Sequence, residues 1–447
     1  MPMPDLPRRI RLAAGDYFMH SQDWRMRRAG LKGNVCRVAL GLDCGLNTEL
    51  LRQRVAASPM LDWLARVRIS RRLPVFPPLW CATARPRAVF HEHDDQNGGE
   101  AGPGLLPQVV LGRELHAGRG PALALDLVRH RDGTRHLVLS WNHALMDARG
   151  SELILRHLNL GGAANGAPTI QNLIDPDQRG GNLLGWWRAV KLARGSLEWL
   201  EQSGRQPLFT LMPREHPGPA TPCHNQARLL LFNEQEAARI DARCQRLDAG
   251  FRRSHFYLAA SLRALHNVAS ARGNKDGAYL VPVPHDMRRR GANGPIFSNH
   301  LSILFYRIEP RQAVNLAEII GELTRQMMDQ IRTRFPESCM AALEMFKPLP
   351  LDFYLRRLGK PTRGNFASLC FSDSGETCAG MTDLLGGRIQ EVTHMVPTWR
   401  PPGLTVLFWS FRGRPRAQLS WVDDCLSLAE VDTLETGLRS ALLDEAP

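Results

Sequence analysis

The chain has 447 residues, of which 43% are apolar and 23% charged. These are ordinary globular proportions, and they exclude wholesale disorder, collagen and coiled coil. The length allows two or three domains, or one large fold, with a core that needs no disulfide staples. The formal net charge of +13 favours anionic partners: nucleic acid, anionic lipid or phosphate-bearing small molecules.

The arginines, however, fall in short scattered clusters at Arg8–Arg11, Arg25–Arg28, Arg66–Arg72 and Arg288–Arg290. No helix-turn-helix, RNP or zinc-finger pattern accompanies them, so nucleic acid is not an expected partner. Nine cysteines without a CxxC pair read as reduced thiols of a cytosolic protein. No apolar run approaches the ~20 residues needed to span a bilayer. The opening stretch MPMPDLPRRIRLAAGDYF has no apolar h-region, so no secretory signal is expected.

In chain order, Val35–Leu42 reads as a strand, and apolar residues at helical spacing from Leu46 to Val67 read as a helix capped by Asn47 or Thr48. Residues 92–106 are polar and Gly-rich, hence a loop. Leu123, Leu125 and Leu127 alternate on one face of a strand, Asp132-Gly133 signals a hairpin, and HLVLSWNH is the second strand, ending in His143. A turn and a helix over ELILRHLNL follow. Residues 159–225 look like a crossover. Around Leu183–Leu200 they carry a Trp-bearing helix on which Leu183, Trp187, Val190 and Leu197 share a face, with Arg188, Lys191 and Arg194 mostly off it. Such a basic amphipathic helix suits peripheral contact with an anionic membrane. The alternative, a crossover packed against the two halves, is preferred because Gly185 and Gly195 weaken the helix.

From residue 226 a strand (ARLLLF), two helices (235–249 and 255–272) and the strand AYLVPVP follow. A basic turn at 285–295 leads into strand-like SNHLSILFYRI and an amphipathic stretch at 312–334. FASLCFSD, LTVLFWSF and RAQLSWVD read as further strands, and 427–443 as a terminal helix. No short repeat is present.

The motif HxxxD occurs twice, at His91–Asp95 in the polar loop and at His143–Asp147 between a strand and a helix. A strand-end loop in an α/β layer holds side chains toward a substrate, whereas a Gly-rich surface loop rarely keeps geometry. A neutral imidazole can take a proton from a hydroxyl or amine near pH 7, and Asp147 is near enough to brace the loop. The bland reading of His143 is a core-edge histidine bonded to backbone. His91, His93, Asp94 and Asp95 offer no third ligand group at usual metal spacing, so a solvated loop is the preferred reading and no metal is expected. GxSxG, P-loop and HExxH motifs are absent from the sequence. Cys370 and Cys378 read as packing residues rather than nucleophiles.

The run ALALDLVRHRDGTRHLVLSWNHALMDARGSELILRHL resembles the active-site region of the condensation-domain and chloramphenicol-acetyltransferase-like acyltransferase superfamily, marked by HHxxxDG at a strand end. Wax ester synthases and stand-alone polyketide-associated acyltransferases belong to it. YLVPVPHDMRRRGANGPIFSNHLSILFYRIEP and GLTVLFWSFRGRPRAQLSWVDDCLSLAEVDTLETGL are similar to its second-half stretch and its closing strand pair and helix. The likeness preserves order over nearly the whole chain. Asn142 replaces the first His, and Ala148 replaces the Gly. The plant-type DFGWG motif is absent, which points away from the plant branch. No adenylation or carrier module is fused, which points away from a modular peptide synthetase fragment.

The resemblance implies two similar α/β halves, each a mixed or mostly antiparallel sheet with helices, forming a V around a tunnel. The halves would be residues 1–165 and 226–447, with 166–225 as the crossover. It implies an acyltransferase with His143 as general base, Asp147 as a structural residue and Arg288 as its partner from the second half. Asn142, Asn299, Ser372 and Ser374 are the tunnel or oxyanion candidates. No cofactor is held permanently. The donor would be an acyl-CoA or an acyl-phosphopantetheine on an acyl carrier protein, and the acceptor a hydroxyl or amine. The positive charge suits donor phosphates and would steer an acidic carrier. The competing class is a catalytically idle binding protein of the same fold, for which Asn142 and Ala148 speak.

Overall fold

The computed structural model describes residues 6–71, 76–84, 89–95, 106–161, 167–175, 184–212, 223–289 and 291–444; at 184–187 and 251 it describes the backbone only. The N-terminal half runs β1 (Arg9–Arg11), α1 (Ala14–Arg28), β2 (Val35–Leu42), α2 (Thr48–Ala56), α3 (Pro59–Arg66), β3 (Val67–Ser70), β4 (Leu79–Ala82), β5 (Phe90–Asp94), α4 (Gln108–Leu111), β6 (Leu123–Arg129), β7 (Arg135–Asn142) and α5 (Ala148–Leu160). The crossover helix is α6 (Leu184–Arg205). The second half begins with β8 (Asn225–Leu231), α7 (Glu234–Arg246), α8 (Arg253–Ala271), β9 (Tyr279–Asp286) and β10 (Leu301–Ile308). It continues with α9 (Leu316–Arg332), α10 (Phe335–Phe346), α11 (Leu351–Gly359), β11 (Cys370–Glu376), β12 (Asp383–Leu384), β13 (Gly387–Met395), β14 (Leu404–Phe411), β15 (Arg414–Val422) and α12 (Leu428–Leu443).

Local chemistry explains the boundaries nearest the site. The stretch expected as one helix from Leu46 to Val67 is two helices. Asn47 caps the first by accepting from Leu50 N–H at 2.9 Å; Ser58 caps the second, with Pro59 in its first turn. The β6–β7 hairpin turns at Gly133, whose φ of 85° is open to glycine at no steric cost. Asp132 braces that turn by accepting from Thr134 N–H at 2.9 Å.

The first sheet has the order β12-β13-β2-β7-β6-β5. All its pairs are antiparallel except β5 with β6. Two of its strands thus come from the second half of the chain. β13 pairs with β2, while its Val392 carbonyl accepts from Trp409 Nε1 (2.9 Å) on β14 and its Glu391 meets Arg416 (2.9 Å) on β15. The sheets therefore do not divide where the chain does, and β13 ties them together.

The second half builds a four-stranded sheet, β11-β14-β15-β8, and the pair β10-β9. Ser368 bridges them, donating from N–H to Leu280 O (2.7 Å) and accepting at Oγ from Leu280 N–H (3.2 Å). One core lies between the first sheet, α3 and α5; the other lies around α8, α12 and the strands β8, β14 and β15.

β5 covers residues expected as loop. His93 Nε2 lies 2.8 Å from Asp126 Oδ1, and His130 Nδ1 lies 3.2 Å from Asp95 Oδ2. Each pair joins the edge strand β5, or the residue just after it, to β6 or the residue just after that. Residues 96–105 lie outside the described residues.

Helix α6 packs on α10: Ser196 N–H donates to Ser338 Oγ (2.8 Å), and Ala193 is buried with Ala341 and Ala342. Leu197 packs against the same cluster. Over the described part of the face expected to meet a membrane, Leu197 is therefore turned toward the protein. Leu183 and the side chain of Trp187 lie outside the described residues. Among the described residues no helix is long and apolar enough to cross a membrane.

Candidate active site

β7 ends at Asn142, and the turn that follows is fixed from several sides. His143 N–H donates to Asn34 O (2.9 Å), Leu145 N–H to Asn142 O (2.8 Å) and Ala144 N–H to Asn142 Oδ1 (3.1 Å). Trp141, buried beneath, donates from Nε1 to Met146 O at 2.9 Å. Asp147 then caps α5, its Oδ1 accepting from Gly150 N–H at 3.0 Å.

Across the halves, Arg288 Nη2 lies 2.9 Å from Asp147 Oδ2, with side-chain exposures of only 4% and 2%. The same carboxylate accepts from His300 N–H (3.0 Å), while Arg288 also donates to Pro295 O (3.1 Å) and Asp286 Oδ1 (3.2 Å). The expected Asp147–Arg288 contact is therefore present, and it is fully hydrogen-bonded, as a buried pair must be.

Asn299 is the second clasp. Its Nδ2 donates to His143 O (2.9 Å) and Asp16 Oδ1 (3.1 Å), and its N–H donates to the same oxygen (2.7 Å). Asp16 also accepts from Ser298 Oγ (2.6 Å) and Trp80 Nε1 (3.0 Å). This carboxylate on α1, with no sign in the sequence, holds the second-half segment against the histidine turn.

Ala148, where the resemblance leads one to expect glycine, is the first residue of α5. The glycine requirement has moved to Gly150, where an added Cβ would collide with the Ile296 carbonyl. Gly150→Ala should therefore push the 296–300 segment off α5 and destabilise the protein by about 1–3 kcal/mol, read as a lowered Tm. An unchanged Tm would show that this approach is soft.

His143 is half-buried and lines a cavity of about 340 Å³ between the halves. The first half contributes Cys36, Trp141 and Glu152 to its wall; the second contributes Pro282, Leu301, Phe371 and Thr405. Burial lowers the imidazole's pKa from its ordinary value, opposed by its own carbonyl, Asp147, Asn299 and Asp16. The ring is consequently neutral at pH 7 and able to accept a proton. Asn299, Ser372 and Ser374 also line the cavity, the serines from β11.

Asn142, expected as a tunnel or oxyanion residue, is instead buried away from the cavity. Its amide donates to Asp23 Oδ1 (3.0 Å) and Leu115 O (3.2 Å), which leaves it no proton for a reacting oxygen. Its place is structural, tying β7 to α1. Cys370 lines the cavity, but burial pushes its thiol, and that of Cys378, well up, so neither offers a thiolate.

The sequence reading missed Glu152, which lines the cavity one turn beyond the cap and lies 3.1 Å from Arg149. Burial pushes its carboxyl up to about 7, with Arg149 opposing. Because the folded-state pKa is raised, stability is fullest below the unfolded value near 4.5 and falls as pH rises from there to about 7. Glu152→Gln removes that loss. It should raise Tm relative to wild type at pH 8, by up to about 3 kcal/mol of stability, and change little at pH 4. Equal Tm differences at both pH values would contradict this.

No protein-family model matches the sequence, and a comparison with curated protein sequences gives no match. Comparison of folds does. The trichothecene 15-O-acetyltransferase of Fusarium sporotrichioides superposes with a TM-score of 0.69 at 15% identity, over 98% of this chain and 95% of that one. The first condensation domain of the calcium-dependent antibiotic synthetase, in complex with a substrate analogue, gives 0.69 at 14% identity over 98% and 97%. The condensation domain of the monacolin K polyketide synthase gives 0.65 at 12% identity over 98% and 97%. The chain thus shares its fold with these condensation domains and this acetyltransferase over nearly its whole length.

Proposed function

We propose that the protein is an acyltransferase that moves an acyl group from a coenzyme A or carrier-protein thioester to a hydroxyl or amine, with His143 as general base. The observation that carries this is the placement of His143. It is the half-buried imidazole of the interlobe cavity, on a turn clasped by the Asp147–Arg288 pair and by Asn299. The acceptor's proton passes to the ring as the acceptor oxygen or nitrogen bonds to the thioester carbonyl carbon. When the tetrahedral intermediate collapses, the C–S bond breaks and the leaving thiolate takes that proton back. Ser372 and Ser374 line the same cavity, and their hydroxyls would donate to the oxyanion. Asp147 is a positioning residue: both its oxygens are engaged by Arg288, Gly150 and His300.

The two departures from the family motif fall at structural positions: Asn142 in the α1 network and Ala148 at the helix start. Neither removes a group from the cavity. The test is thiol release from a panel of acyl thioesters offered with hydroxyl and amine acceptors. Acceptor-dependent release by wild type that falls about a hundredfold or more in His143→Ala supports the reading. No release from any donor, on coenzyme A or on a carrier protein, would favour a binding protein.

A further inference from the structure

The outer side of α11 and the end of α1 form one basic surface. Leu351, Tyr354, Leu355 and Leu358, at i, i+3, i+4 and i+7 of α11, turn inward. The leucines pack on the core of the first sheet, and buried Tyr354 meets Tyr17 of α1 with ring centres 4.8 Å apart. The opposite side of the helix carries Asp352, Phe353, Arg356 and Arg357, all exposed, and exposed Lys360 and Arg363 follow in the turn. Helix α1 joins this face through Arg28, whose Nη1 lies 3.1 Å from Asp352 Oδ1, with both side chains more than half exposed.

Two features set this surface apart from the general basicity of the chain. The first is its sign. Residues 351–366 hold four cations and one carboxylate, against 57 and 44 in the whole chain, and that carboxylate is engaged by Arg28. Arg356, Arg357, Lys360 and Arg363 have no carboxylate partner among the described residues. The second is aromatic. Phe353 lies under Arg356 at 4.5 Å, Trp24 under Arg28 at 4.8 Å and Phe366 under Arg25 at 5.2 Å. Phe353 is nonetheless 55% exposed. A guanidinium resting on such a ring shields it from water, and can move to a phosphate when the ring enters an apolar layer.

A nucleic-acid strand binds along a charged groove, and the outer side of a helix is convex. A lipid surface needs neither groove nor pocket. It offers phosphates to the cations and, just beneath them, an apolar layer to the ring.

We propose that the outer side of α11, with the end of α1, docks the protein on an anionic lipid surface. Arg28, Arg356, Arg357, Lys360 and Arg363 take the headgroups, and Phe353 enters the layer below them. The inference is independent of the acyl-transfer reading: it holds whether or not the central cavity turns over a thioester.

The test is sedimentation of the full-length protein with two kinds of vesicle at low and high salt. One is phosphatidylcholine alone; the other is phosphatidylcholine and phosphatidylglycerol at about two to one. Wild type should bind the mixed vesicles at least about tenfold more tightly than the neutral ones, and high salt should remove the difference. A cation at the surface contributes about fivefold to such binding, so Arg356→Gln/Arg357→Gln/Lys360→Gln should bind the mixed vesicles about a hundredfold more weakly. Phe353→Ser removes no charge; it should weaken binding several-fold and leave the salt dependence as it is. Arg188→Gln/Lys191→Gln/Arg194→Gln removes the same charge from the exposed side of α6 and should stay within about threefold of wild type. These side chains are exposed, so every variant should keep the wild-type Tm. No binding to mixed vesicles at low salt, an equal loss in the two triple variants, or wild-type binding by Phe353→Ser would overturn the proposal. Binding of an acidic carrier protein or of single-stranded DNA that is lost in the α11 triple variant, with no vesicle binding, would assign the face to that partner and overturn it equally.

Discussion

His143→Ala is expected to lower acyl transfer by about 10²–10⁴-fold, the usual contribution of a positioned general base. Folding should be nearly untouched. The turn is held by main-chain bonds, His143 N–H to Asn34 and His143 O from Asn299, and these survive loss of the ring. The ring faces the cavity, so truncation enlarges an existing space rather than opening a void in the core. The pH profile provides a second signature. A base must be neutral to act, and burial lowers the His143 pKa. In wild type, kcat/KM should therefore be level around pH 7 and fall only below pH 6.5, with that acid limb gone in the residual activity of the variant. Turnover within threefold of wild type would show that the proton goes elsewhere.

Asp147→Ala should damage stability first and activity with it. Arg288, at 4% side-chain exposure, would lose its buried counter-ion and keep only the half-exposed Asp286 at 3.2 Å, at a cost of up to roughly 3–5 kcal/mol. The α5 cap is lost as well, about 1 kcal/mol, and His300 N–H loses its acceptor. A lower Tm and a poor soluble yield are the expected result. Replacing both members, with Arg288→Met added, should recover part of the loss, because no buried charge is then stranded. A fully stable but inactive Asp147→Ala would mean that this carboxylate acts on the substrate and not through the turn.

The parts legible in the sequence are those whose signal is local. Leu123, Leu125 and Leu127 alternate, Asp132-Gly133 turns, and the chain must bring His143 to the strand end. Order along the chain then carried the fold, since the Arg288 turn and the Asn299 segment follow the histidine motif in a recognisable sequence. Helix α1 was hidden because its buried face mixes Tyr17 and Met26 with Asp16, Ser21, Gln22 and Asp23, which blurs the apolar period of 3.6 on which helix recognition depends. Those polar residues are where α1 reaches the site. The same cause concealed the true place of Asn142: its partner Asp23 lies 119 positions away, and no spacing rule relates them.

β13 shows the other kind of limit. GRIQEVTHM is not among the strands expected from the sequence, its burial alternates only over its first residues, and nothing in its composition says that it joins β2 of the opposite half rather than a neighbour in its own. Pairing partners are set by the three-dimensional return of the chain, and strands distant in sequence carry no local mark of one another. Glu152 was passed over for a related reason. Two residues past Gly150 on an amphipathic helix it looks like a solvent-facing charge, and only the wall formed by the second half turns it into a buried carboxyl.

The measurement that bears most directly on the account is mass spectrometry of products formed when the protein is given acyl-CoA and acyl-carrier donors together with a cell extract. The account predicts new species heavier than an extract component by one acyl group less one hydrogen, with stoichiometric free thiol, formed by wild type and lost in His143→Ala. Acylated products formed equally by wild type and His143→Ala, or no acylated product with either donor, would contradict it.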